Sequence, residues 1–352
     1  MQPKNLFAIN KWIQIIVSLF LVMLTYGFIW TYRVIQKPNI LVGQPSRLLF
    51  IPPNTAFSTL QDTLYKNRYI TDSATFRLAA HILRYDHKIL PGAYRLSSGM
   101  SNREAIQILR AGIQEPVNII LNSIANKEEL AIKITQNIGI DAITFQKLLD
   151  DANFLQAYGF TPDNILTMFI PNTYNVYWTI SAEKLFNKMY AEYQKFWKGE
   201  RLEKAKQLNL TPIELSILAS IVEKETNKLE EAPIIAGVYI NRLRKGMKLQ
   251  ACPTLLYIAN DPSATRVLHA YIHINSPYNT YLYKGLPPGP ITIPSIAMID
   301  AVLNYRHHDY LYFVTKEDFS GYHYFAKTFK EHKENAKKYR RTLKEMLSTN
   351  KE

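Results

Sequence analysis

Chemistry in this sequence concentrates on one carboxylate, that of Glu225, near the end of the run LSILASIVEKET at residues 215–226. At roughly 100° per helical residue, Ile213, Leu215, Ile217, Leu218, Ile221 and Val222 share one broad apolar arc, and Glu225 falls inside it between Ile221 and Leu218. Glu223 points roughly 160° away, beside Ser216 and Ala219. The two acids therefore occupy different environments. A carboxylate held against apolar groups is costly to ionise, so its pKa rises toward neutrality, which is what a general acid needs. Glu225 is the candidate proton donor. The alternative is a helix that ends near residue 225 with its glutamate turned out to solvent.

Other reactive groups are sparse. Cys252 is the only cysteine, which excludes an intrachain disulfide and any multi-cysteine zinc or iron–sulfur site. It sits in LQACPT with no histidine nearby in sequence and reads as a buried, inert thiol. The histidines show no HExxH spacing, and neither GxxxxGK[ST] nor GxGxxG occurs, so no metal, cofactor or nucleotide is expected.

The elements that must position Glu225 announce themselves at both ends. Thr211, Pro212 and Glu214 supply a hydroxyl cap, a first-turn proline and a capping-box acid, so a helix starts there. Pro233 opens a second helix that Gly246 can end. Residues 248–250 read as a short strand and 251–257 as a turn into a helix, while SPYNTY (276–281) and GLPPGP (285–290) are loops. Residues 310–314 and 322–326 predict a hairpin, followed by a basic helix from about Thr328.

Upstream, residues 12–32 carry no charge between Lys11 and Arg33, about the 20 residues that cross a bilayer as a helix. Trp12, Trp30 and Tyr32 mark its two ends, where amphipathic rings settle at headgroups. The run is long for a signal peptide and no small-residue cleavage site follows, so an uncleaved anchor is expected. The resulting plan is a tail (1–11), a transmembrane helix (12–32), a polar tether (33–46), a small α+β module (47–116) and a larger α+β domain (117–352) carrying Glu225 on a helix. Within the module, 48–52 and 90–96 read as strands, 54–67 as a helix, and Ser101 with Glu104 opens another. Beyond it, 117–121 is strand-like, 126–137, 141–149 and 182–197 have helical spacing, and FIPNTYNVYW (169–178) is dense in aromatic and turn residues.

A chain of 352 residues, 47% of them apolar, buries a sizeable core in about two domains. Its 23 tyrosines suit sugar-binding grooves and ordinary β structure alike. The net charge of +13 favours an acidic partner, whether nucleic acid, an anionic membrane face or an anionic polymer of the envelope.

KET with NRLRKGMKLQ, then PT, SPYNTY and GLPPGPI, in this order and spacing, closely resemble the YceG-like endolytic murein transglycosylases, the MltG family. The resemblance runs from the anchor, through a module similar to LysM domains, nearly to the carboxyl end. It implies a single-pass enzyme of the cytoplasmic (inner) membrane, with its catalytic domain on the periplasmic side. Its substrate would be the glycan strands of peptidoglycan, its neighbours penicillin-binding proteins and other wall synthases, and nucleic acid would play no part. The family's catalytic glutamate matches Glu225, and Asn241, Gln250, Thr254, Tyr278, Asn279 and Thr280 would line the cleft. The chain departs from the family pattern at Leu166, where an acid is usual, at Asn172 in PNTY, and at Cys252 before PT.

By that resemblance, Glu225 would protonate the oxygen bridging N-acetylmuramic acid and N-acetylglucosamine. It would then take the proton of the muramoyl C6 hydroxyl as a 1,6-anhydro ring closes. Two other classes stay open: a non-catalytic envelope protein that binds glycan or scaffolds synthases, and a hydrolytic muramidase using Glu223 or Glu230 as second acid.

Overall fold

The computed structural model describes residues 4–259 and 268–349, so residues 1–3 of the expected tail lie outside it. Helix α1 (Lys4–Thr31) is exposed along its apolar length, and residues Lys11–Gln36 form a helical stretch of 26 residues, long and apolar enough to cross a bilayer. The chain then divides into two compact units. The first comprises Met1–Val117 with Asn175–Ile180, the second Asn118–Tyr174 with Ser181–Glu352.

In the first unit, β1 (Ser46–Ile51), α2 (Phe57–Lys66), α3 (Ser73–Ile82), β2 (Gly92–Ser97) and α4 (Asn102–Ala111) form a small α+β module. β1 and β2 run antiparallel from Ser46↔Ser97 to Ile51↔Gly92, and Leu49, Ile51, Tyr94 and Leu96 face a core shared with Leu60, Leu64, Phe76 and Ile106. The capping box expected at Ser101 and Glu104 is formed. Residues 33–46 are not a free tether. Val34, Ile40 and Val42 are buried in the module core, and Ile40 bridges to Ile70. The Asn39 side chain donates to Asp72 O at 2.9 Å and Asn102 Oδ1 at 2.7 Å, and its Oδ1 accepts from Asp72 N–H at 2.7 Å. Five aliphatic side chains lie in this stretch among polar and turn residues, and three of them, with a satisfied asparagine, pin it to the module.

β3 (Val117–Leu121), all but its first residue in the second unit, leads to α5 (Lys127–Thr135), α6 (Ala142–Asp150) and α7 (Ala152–Gln156), and β4 (Asn172–Val176), in the second unit as far as Tyr174, pairs with β3. The aromatic segment 169–178 thus holds a strand that its turn-rich composition hid. α8 (Ala182–Phe196), α9 (Glu200–Gln207), α10 (Pro212–Glu225), α11 (Ala232–Arg244), α12 (Cys252–Ala259) and α13 (Ile296–Leu303) follow, then the antiparallel hairpin β5 (Tyr312–Thr315) and β6 (His323–Ala326), and finally α14 (Phe329–Thr349). The core is built from α10, α11 and α13.

Helix α10 starts as its sequence dictates. Thr211 Oγ1 accepts from Glu214 N–H at 3.2 Å, and Glu214 Oε2 accepts from Thr211 N–H at 2.8 Å. It is not amphipathic, however. Every residue from Leu215 to Val222 is buried, while Ile213 is only half-buried. Ser216, Ala219 and Ser220 are small enough for other elements to close in, and the serine hydroxyls are satisfied by Pro212 O and Ile217 O at 2.8 and 2.7 Å. Thr211→Ala removes the cap and lowers stability by about 1 kcal/mol, read as a drop in melting temperature. The strand expected at 248–250 is absent, since those residues turn their carbonyls to the Arg242 side chain instead.

Candidate active site

Glu225 is the last residue of α10, and together with Thr226, Lys228, Ser320, Gly321 and His323 it lines a cleft of about 450 Å³ between the end of α10 and the β5–β6 hairpin. A larger cavity of about 730 Å³, beside Tyr65 and Arg68 in the first unit, has no carboxylate on its wall. Packed helices place Glu225. Its own helix is buried on all sides, and the facing α11 brings Tyr239, 2% exposed, so that its hydroxyl donates to Glu225 Oε1 at 2.5 Å. Gly237 lets α11 approach the following loop: a Cβ there would lie 2.7 Å from both Arg306 O and His308 Nε2.

Burial pushes the Glu225 carboxyl up from 4.5 to about 7, against the opposing pulls of the Tyr239 hydrogen bond and the Arg242 charge. Desolvation therefore outweighs both stabilising partners. Tyr239 is itself raised well above its ordinary value by burial and by the neighbouring carboxylate, so it donates and does not ionise. With Oε1 held by this donor, the carboxyl keeps Oε2 for a further partner. Glu223, two residues away, is half-buried and accepts from Ser295 N–H and Oγ at 3.1 and 2.7 Å, at the start of α13. The two acids do differ in environment, and only Glu225 opens onto the cleft.

Arg242 anchors the wall behind. It is 7% exposed and donates to Leu311 O at 2.6 Å and Leu249 O at 2.8 Å, while Gln250 Oε1 lies 3.3 Å from its NH1. Its fixed charge favours the ionised form of Glu225 without a hydrogen bond to it. Cys252 is exposed, which corrects the expectation of a buried thiol. Its Sγ lies 3.2 Å from Tyr281 Oη, and burial of the sulfur pushes the thiol up. Among the described residues, no three His, Cys, Asp or Glu side chains gather as metal ligands would.

The family's sequence profile matches residues 49–338, well over half of the chain. This protein belongs to the YceG-like family. It is 27% identical over 349 residues to an endolytic murein transglycosylase of Streptococcus pneumoniae serotype 2, covering 90% of this chain and 63% of that one. It is also 29% identical over 307 residues to an endolytic murein transglycosylase of Bacillus subtilis, covering 82% of this chain and 83% of that one. The chain thus spans less than two thirds of its pneumococcal relative. The crystal structure of a YceG-like protein from Listeria monocytogenes shares the fold, with a TM-score of 0.54 at 24% identity, covering 82% of this chain and 98% of that one.

Most of the polar residues singled out by the resemblance hold the YceG-like fold together instead of facing the cleft. Asn241 Nδ2 donates to His308 O at 2.7 Å and Tyr310 O at 3.1 Å. Asn279 is fully buried, donating to Ile272 O and Ile274 O at 2.9 and 2.8 Å while accepting from Tyr281 N–H at 3.0 Å. Thr254 and Thr280 are buried hydroxyls 2.9 Å apart, and Thr280 Oγ1 also accepts from Ala251 N–H at 3.0 Å. Thr254 and Thr280 knit the SPYNTY loop to the start of α12, Asn279 braces that loop from within, and Asn241 ties α11 to residues 308–310. Their amides and hydroxyls go first to partners within the protein. Gln250 is exposed in a left-handed turn, φ 51°, beside Arg242. Tyr278 packs on Tyr257 at 5.0 Å, its hydroxyl over Gly289, where a Cβ would lie 2.6 Å from that hydroxyl and 1.9 Å from Asp163 O. None of the six shares the cleft wall with Glu225. Leu166 is buried, and Asn172 is exposed with its Oδ1 accepting from Thr173 N–H at 2.8 Å.

Sequence reasoning missed Tyr239, Arg242 and His323. The first two lie three residues apart on α11, the spacing that puts both on one helix face, and this was the available signal. His323, in a hairpin remote in sequence, offered none.

Proposed function

We propose that this chain is an endolytic murein transglycosylase that cuts the bond between N-acetylmuramic acid and N-acetylglucosamine inside glycan strands. The observation that carries the reading is a single cleft carboxyl raised to about 7, gripped on one oxygen by Tyr239. The names of its relatives point the same way. Protonated Oε2 of Glu225 gives its proton to the bridging O4 as the C1–O4 bond breaks. The muramoyl O6 then bonds to C1, and the proton released from that hydroxyl replaces the one Glu225 lost. No water is consumed, and the second step is intramolecular, so proximity lowers its barrier. Asn241, Gln250, Thr254, Tyr278, Asn279 and Thr280 act from behind, shaping the loops around Arg242 and α12, and Lys224 and Lys228 meet the carboxylates that the strand and its peptides carry.

On this reading α1 anchors the enzyme in the cytoplasmic membrane with both units outside. The module at 47–116 is a LysM-like holder of glycan: its cavity with Tyr65, Arg47 and Arg68 suits an anionic saccharide. The enzyme then works beside penicillin-binding proteins and ends nascent strands. A hydrolytic muramidase is less well supported, because Glu223 is committed to Ser295 and Glu230 to the Tyr322 hydroxyl. Mass spectrometry of products from purified murein separates the two. The expected ends are anhydro-muramoyl, lighter by one water than the reducing ends that a muramidase leaves, and reducing ends would overturn the proposal.

A further inference from the structure

One more group in the cleft is built to accept a hydrogen bond and is used by nothing described so far. His323 lines the same cleft as Glu225. Its ring Nδ1 lies 2.9 Å from Glu231 Oε2, and its backbone N–H donates to Glu231 Oε1 at 3.1 Å. Both side chains are only 8% exposed. A carboxylate bonded through both oxygens to one residue fixes that residue's ring with the Nδ1 proton facing it, and in the neutral ring Nε2 is then an acceptor. Among the described residues Nε2 has no hydrogen bond, while Phe313 and Phe325 flank the ring at 5.4 and 6.4 Å. The other charged groups on the cleft wall are Lys224, Lys228 and Glu225 itself.

The reaction leaves a gap that such a group fits. As O4 departs, positive charge builds at C1 of the muramoyl ring. The adjacent 2-acetamido group can share it by closing its carbonyl oxygen onto C1, which places positive charge on the acetamido N–H. With Glu225 engaged at O4, an uncharged acceptor backed by a buried anion stabilises that N–H. We propose that His323 Nε2 accepts a hydrogen bond from the acetamido N–H of the reacting sugar, with Glu231 as the anion behind it, so that His323 is a substrate-contacting catalytic residue and Glu231 a positioning residue. The electron count closes: the carbonyl oxygen–C1 bond forms as C1–O4 breaks, and it breaks in turn as O6 bonds to C1. The acetamido proton is shared with Nε2 and never leaves nitrogen. The proposal rests on the reading of Glu225 as the acid.

The test is steady-state cleavage of purified glycan strands by the full chain in detergent micelles. His323→Ala lowers kcat by about 10²-fold with KM within about threefold, because the contact strengthens only as charge develops. Glu231→Gln lowers kcat by about tenfold. Uncleaved strands bind the Glu225→Gln protein and its His323→Ala double variant equally. A folded His323→Ala protein with kcat within about twofold of native would overturn the assignment, as would a loss lying wholly in KM and strand binding. Should His323→Ala fail to fold, an unchanged kcat in Glu231→Gln overturns it. Absence of anhydro ends from the native protein sinks the Glu225 reading and this one with it, whereas native-like cleavage by His323→Ala sinks this one alone.

Discussion

With Glu225 as the proposed acid of a murein transglycosylase, Glu225→Gln yields a folded protein whose strand cleavage falls by roughly 10²–10⁴-fold, the range set by loss of a positioned general acid. The substitution keeps size and the acceptor for Tyr239, which donates to Oε1 at 2.5 Å, but removes the only acid proton on the cleft wall. The loss falls on kcat, because the proton moves only in the transition state. A non-catalytic glycan binder makes the opposite prediction, since its strand binding and cellular role would survive the change. Strand cleavage and strand binding, measured on the same preparation, decide between them.

The second large effect is in pH. A group that acts as an acid must be protonated, so with Glu225 at about 7 the rate is level below neutrality and falls about tenfold per unit above it. Tyr239→Phe removes an interaction that favours the carboxylate, so the fall moves to higher pH. Stability carries the same signature. The folded protein binds the Glu225 proton more tightly than the unfolded chain, whose carboxyl titrates near 4.5. That extra stability is present in full below pH 4.5 and is lost as pH rises through about 7, a difference of roughly 3 kcal/mol. Glu225→Gln does not titrate. It is therefore close to native in stability at pH 4 and ahead by up to about 3 kcal/mol at pH 8, measurable by urea unfolding. An advantage at acid pH, or none at pH 8, contradicts a carboxyl raised by burial.

How much of this was legible in the chain follows from how local each signal is. The start of α10 was readable because Thr211, Pro212 and Glu214 act within one turn. The apolar segment before Arg33 needs only its own composition, and the hairpin of β5 and β6 needs only two short β-rich runs. The elevation of Glu225 followed from helical phase, although the helix proved buried all round and not on one arc. The contacts made by Tyr239, Arg242 and the His323–Glu231 pair did not follow, because they depend on long-range packing that no window of sequence records. The polar residues of SPYNTY misled for a related reason. A conspicuous Asn or Thr in a loop looks available to a ligand, yet Asn279 and Thr280 are consumed by the carbonyls of Ile272 and Ile274 and by the Ala251 amide, main-chain groups of neighbouring segments. α9 and α13 went unread, and β4 was hidden in a segment whose asparagines and aromatics read as turns.

The central claim is that one carboxyl stays neutral where carboxyls are normally charged. A carboxyl-carbon NMR titration of glutamate-labelled protein tests it most directly, with the Glu225→Gln protein identifying the resonance. The account predicts that Glu225 titrates near pH 7, with Tyr239→Phe moving it higher. A midpoint near the ordinary glutamate value of 4.5 would contradict it.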